Sequence, residues 1–185
     1  MPELQDYSGP YKPDLKLSDF SKEFLLKLMD VWQWAWKVKD DAWFAAVVSR
    51  LGIEATLECS TEMWQQVGRT VNPKLAEIGN FQLNTAVDSL KLVQLPLDNT
   101  IGKEYPSETK IISPNHVIVT VKQCAGLLDW EKSMPELIEP VCHVLCPKVM
   151  EAYWVNPKIK ITGLKVPPRK SPDEIACQWE YKIEE

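Results

Sequence analysis

The stretch Ser133-Met134-Pro135-Glu136-Leu137-Ile138-Glu139-Pro140-Val141-Cys142-His143-Val144-Leu145-Cys146-Pro147 decides the fold class, because it reads as a helix set among runs that read as strands. Ser133 and Glu136 have the spacing of a capping box, in which each side chain satisfies the other residue's backbone N–H at a helix start. From there Leu137, Ile138, Val141, Cys142, Leu145, Val149, Met150 and Tyr153 fall on one face at helical spacing. Pro147 has no N–H to give the carbonyl of His143, and Pro140 repeats the defect nearer the start, so a bent helix is expected.

Outward on both sides the period changes to two. Upstream, Leu97 to Lys103, Thr109 to Ile112 and His116 to Gln123 read as strands, the last with Val117, Val119 and Val121 alternating, and Ser113-Pro114-Asn115 supplies a turn. Downstream, Ile159 and Ile161 alternate with lysines, and Ile175, Cys177, Trp179, Tyr181 and Ile183 alternate with polar residues. The loop Pro167-Pro168-Arg169-Lys170-Ser171-Pro172 joins these two strands.

The first half is helical. Ser21 is placed to cap a helix bearing Phe24, Leu25, Leu28, Met29, Trp32 and Trp36 on one face. Asp40 and Asp41 restart the chain, and Trp43, Phe44, Val47, Val48 and Leu51 form a second stripe that Gly52 ends. A third helix from Ile53 buries Leu57, Ser60, Met63, Trp64 and Val67 and is expected to stop at Asn72-Pro73, since a residue before proline avoids helical angles. A fourth carries Leu83, Ala86, Val87 and Leu90. The sum is an α+β fold, with N-terminal helices packed on an antiparallel sheet and a cysteine-bearing helix between the third and fourth strands. One domain, 1–185, is expected: an extended arm over 1–17, a helical cover over 18–94, and sheet plus helix over 95–185.

Composition limits the function. The formal net charge of −5 disfavours nucleic acid and anionic lipid as partners. Met1-Pro2-Glu3-Leu4 has no basic or apolar export signal, and the longest apolar run, around Trp43 to Val48, is far short of a membrane span, so a cytoplasmic place and no membrane partner are expected. Five cysteines in such a chain suit reduced thiols or metal ligands better than disulfides.

Cys142 and Cys146 stand one turn apart on a single helix face, and Cys177 lies on the apolar face of the last strand, so three thiols converge between helix and sheet. Strand parity puts Cys124 with Lys122 and Thr120 on the other side; a bulge or strand end would bring it back. With Cys124, tetrahedral zinc or an iron–sulfur cluster becomes possible; without it, His143, Glu131 or water completes a site. His143 points about 100° away from Cys142 around the helix. The plain alternative is that these cysteines, like Cys59, are small apolar core fillers and no cofactor is bound. Trp36, Trp43, Trp64 and Trp179 belong either to a core or to an aromatic-lined cavity, and Arg169 either to a solvated loop or to a ligand carboxylate.

The run Cys124 … Glu131 … Cys142-His143-x₂-Cys146 … Tyr153 … Asn156-Pro157 … Pro167-Pro168-Arg169 … Cys177-x-Trp179-x-Tyr181, with Tyr7-x-Gly9 and Phe20-Ser21-Lys22-Glu23 before it, resembles an uncharacterised family of small prokaryotic cytosolic proteins. More distantly, the last third is similar to 4-vinyl reductase domains and to the 2-amino-thiazoline-4-carboxylate hydrolase family. These likenesses imply a small-molecule-binding α+β fold, with zinc on the cysteines in the first type and opening of a small heterocycle in the second. The expected function is thus a small-molecule-binding or sensing protein with a metal, zinc or iron, on Cys124, Cys142, Cys146 and Cys177. The alternative is a small hydrolase or lyase acting on a cyclic amide or thiazoline-like substrate, with Glu131 or His143 carrying the proton. A homo-oligomer is compatible with either.

Overall fold

The structure is a computed structural model of the chain that describes residues 3–95, 106–153 and 158–184. It falls into two compact units, Met1–Trp43 and Phe44–Glu185. Helix α1 (Lys22–Ile78) runs through the boundary and departs from helical angles at Gly52.

In the first unit the arm is tied down rather than loose. Leu4 forms a parallel bridge with Phe20, and the Tyr7 ring meets Phe20 edge-on at 6.1 Å. The Ser21 hydroxyl accepts from the Phe24 N–H at 3.2 Å, which is the expected cap. Asp40 and Asp41 do not restart the helix, since good helix formers surround them and Lys37 pairs with Asp41 one turn away.

In the second unit Gly52 breaks α1 where expected, with a φ of 79° that a side chain would resist. Pro73, however, does not end the helix, which continues to Ile78. A single missing N–H is tolerated where the flanking turns still hold. The Thr85 hydroxyl and Asp88 carboxylate then form a capping box at the start of α2 (Ala86–Val93).

Strands β1 (Ser107–Ser113), β2 (His116–Val121), β3 (Ile159–Lys165) and β4 (Cys177–Ile183) pair antiparallel in the order β1-β2-β4-β3. The expected strand Leu97 to Lys103 lies outside the described residues. Both edge strands carry charge, Glu108 and Lys110 on β1, Lys160 and Lys165 on β3, which discourages edge pairing. Helix α2 covers the sheet: Ala86, Val87, Leu90 and Val93 pack with Val117, Trp179 and Tyr181.

Between β2 and β3 lie α3 (Ala125–Ser133), the single turn α4 (Ile138–Pro140), a π-helical turn over Val141–Leu145, and α5 (Cys146–Tyr153). The cysteine-bearing helix therefore stands where the pattern placed it, but its start does not. Ser133 ends α3, its hydroxyl donating to the Asp129 carbonyl at 2.7 Å, so no capping box with Glu136 forms. Leu137, Val141 and Leu145 pack against Phe44, Ile53 and Leu57 of α1, which thus covers the cysteine-bearing helix.

Candidate functional site

The chain leaves β2 and enters β4 at the same end of the sheet. Val121 pairs with Cys177, and the Ala176 N–H donates to the Val121 carbonyl at 2.9 Å. Because β2 stops at Val121, strand parity no longer governs Cys124, which becomes the N-cap of α3 and accepts from the Leu127 N–H at 3.5 Å. It packs with Leu127, Ile138, Cys142 and Ala176. The strand end is what brings the fourth thiol to the others.

Cys142 lies inside the π turn and Cys146 ends it, its N–H reaching five residues back to the Val141 carbonyl. Pro147 is the local cause: it offers no N–H to the turn before it, and the wider hydrogen-bond pattern accommodates the loss. The two thiols bond to each other. Within the pair Cys142 gives up its proton first, its pKa lowered because the Cys146 S–H donates to it, against the opposing effect of burial. Cys146 holds its proton well above the ordinary thiol range, through that same bond, burial and the charges of Cys142, Cys124 and Cys177.

Burial raises Cys124, with the Leu127 N–H opposing. Burial also pushes the Cys177 thiol up to about 11, opposed by a hydrogen bond from the Trp179 indole. All four sulfurs thus sense one another's charge and are largely shielded from water. All are free thiols. Cys59, expected in the core, is exposed on α1: the buried residues there are Thr56 and Ser60, so the inward face runs one position to its side.

Beside the thiols sits a clip that the sequence pattern left open. Arg169 donates from Nε and Nη2 to the two carboxylate oxygens of Glu131, each at 2.7 Å, and from Nη1 to the carbonyls of Pro172 and Glu174. Its side chain is 1% exposed. These bonds place Arg169 as a strut between α3 and the β3–β4 loop, and they hold the Glu131 carboxyl below its usual range. The imidazole of His143 bonds the Pro167 carbonyl through Nε2, which must carry the proton because a carbonyl only accepts. Those contacts lock the loop over the π turn.

The tryptophans do not gather at the thiols as a set. Trp179 does reach them, buried in the sheet core with its indole on Cys177. Trp64 is half-buried on α1. Trp36 and Trp43 belong to the first unit, where the Lys39 ammonium lies 3.5 Å from the Trp36 ring centre. A depression of about 520 Å³ lies at the same sheet end, lined by Pro106, Lys122, Gln123, Pro172, Asp173 and Ile175, none of them aromatic. Helix α3 and its Trp130, which packs on both the Cys142 and the Leu145 clusters, were not foreseen. The Leu127-x-x-Trp130 spacing was the available signal. His116, without an assignable partner in the sequence, pairs with Glu180 across the sheet at 2.7 Å.

Among the described residues no three His, Cys, Asp or Glu side chains are grouped closely enough to hold a metal ion, and no helix is long and apolar enough to cross a membrane. Compared with known proteins, the chain has no significant match among curated proteins or solved structures. One family model matches over residues 18–183, and the chain accordingly belongs to a family of unknown function, DUF6125.

Proposed function

We propose that Cys124, Cys142, Cys146 and Cys177 take up a thiophilic metal, zinc or iron, the latter possible as an iron–sulfur cluster, and that the protein is a small-molecule-binding or sensing protein propped by that centre. One observation carries this reading: four thiols from three separate places in the chain, Cys124, the Cys142–Cys146 turn and Cys177, come together at one end of the sheet. A small apolar filler explains any one of them. It does not explain four of the five cysteines lying near enough that each ionised sulfur disfavours the next, a conflict that a bound cation removes. Binding requires the sulfurs to draw together as their protons leave, breaking the Cys142–Cys146 bond. A reducing compartment would keep these thiols available to a metal. The ligand we propose would be sought first at the open depression beside Lys122, Gln123, Asp173 and Ile175.

Elemental analysis of protein purified without oxygen tests this. About one equivalent of zinc, or iron at cluster stoichiometry, is expected, lost in Cys146→Ser and kept in Cys59→Ser. Less than roughly a tenth of an equivalent of any transition metal, or equal retention in both variants, contradicts it.

The lowered pKa of Cys142 favours a second reading, a hydrolase or lyase with Cys142 as nucleophile on a cyclic amide or thiazoline-like substrate. Turnover of such compounds that vanishes in Cys142→Ala, in metal-free protein, would establish it in place of the first.

A further inference from the structure

In the first unit one face of α1 is built as a seam. Lys27, Val31, Trp34, Val38 and Asp41 follow one another at spacings of four, three, four and three, the repeat that keeps side chains on one line of a paired helix. The whole line faces water. Val31 is 54% exposed, Trp34 65% and Val38 46%, and the side chains of Lys27 and Asp41 are 71% and 63% exposed. Leaving a tryptophan between two valines in solvent forfeits the burial that such residues offer.

The charges say what covers it. Lys27 stands seven residues before Trp34 and Asp41 seven after it, so the signs are opposite at equal distances from the centre. Asp30, four residues before Trp34, and Lys37, three after it, lie on the flank of the same face and are again opposite in sign. A copy of this helix laid parallel would set Lys27 against Lys27 and Asp41 against Asp41. Laid antiparallel about Trp34, it sets Lys27 beside Asp41 of the second copy and Asp30 beside Lys37. The same operation brings Val31 to within one residue, about 1.5 Å of rise, of the level of Val38, and Trp34 onto its own copy. We infer that this face of α1 pairs antiparallel with the same face of a second copy of the chain, two-fold symmetric about Trp34. An isologous contact of this kind is self-complementary by construction. Within one chain Lys27 pairs with Glu23 and Lys37 with Asp41 at the helix surface; the second copy extends these exposed pairs into a network across the seam.

Sedimentation of the full-length chain tests the pairing. The wild type should rise from one chain to two with concentration, and Trp34→Ala should shift that rise to at least about tenfold higher concentration by removing the central apolar contact. Lys27→Asp and Asp41→Lys each place like charges together twice over and should weaken association by roughly tenfold. The double variant Lys27→Asp/Asp41→Lys restores the pairs and should recover the wild-type behaviour. If Trp34→Ala loses helicity by circular dichroism, Val38→Ala takes its place. A single-chain mass at about 100 μM, where even a weak contact is populated, overturns the inference. So does a dimer that ignores the charge reversals, or a double variant no better than its parents.

Discussion

Cys142 and Cys146 stand one turn apart, yet they hold their protons very differently. The cause is their mutual bond: the S–H of Cys146 stabilises a thiolate on Cys142 and is itself the harder proton to remove. Replacing Cys146 by Ala deletes the donor, so the Cys142 pKa should rise. The pH at which iodoacetamide modifies Cys142 at half its maximal rate, followed by mass spectrometry of the metal-free protein, should move up in that variant; an unchanged or lower midpoint would remove the pair from the account. At this scale the sequence was informative where spacing alone settles placement. The four-residue interval fixed Cys142 and Cys146, and alternation placed Cys177 on the face of Trp179 and Tyr181. Cys124 and Cys59 were not legible, because parity says nothing about where a strand stops and the general tendency of free thiols to be buried does not place Cys59, which lies beside the buried Ser60.

Proline and glycine punctuate the helices, and they do so unequally. Gly52 has φ 79° and ψ 174°, a region almost closed to other residues, and a methyl group there would meet nothing within 4 Å. Gly52→Ala should therefore cost about 1–3 kcal/mol through the backbone alone, measured as a lower urea midpoint; no loss would show that the break does not need this conformation. Pro73 sits inside the same helix without breaking it, while Pro147 is accompanied by a π turn. Single-residue rules cannot separate those outcomes, since each depends on what the neighbouring turns can still bond. The same limit explains Ser133-x-x-Glu136: the motif is present, but a helix that ends on Ser133 claims its hydroxyl first. Val117, Val119 and Val121 were read correctly as a strand because β-branched alternation has few other uses.

For the molecule as a whole, the α+β class and the antiparallel sheet followed from the change of period after the first helices. The order β1-β2-β4-β3 did not, because pairing of β2 with β4 joins segments more than fifty residues apart, and no local pattern records it. That long-range pairing is what brings Cys124 and Cys177 to one end of the sheet, where the Arg169–Glu131 strut and the His143–Pro167 bond hold the loop against the π turn. The central claim is that this convergence exists to hold a metal. X-ray absorption at the zinc or iron edge of the anaerobically purified protein tests it most directly. A first shell of sulfur alone is expected, at about 2.3 Å for zinc, losing sulfur in each of Cys124→Ser, Cys142→Ser, Cys146→Ser and Cys177→Ser. A first shell of nitrogen and oxygen, or a sulfur shell unchanged by those substitutions, would contradict it.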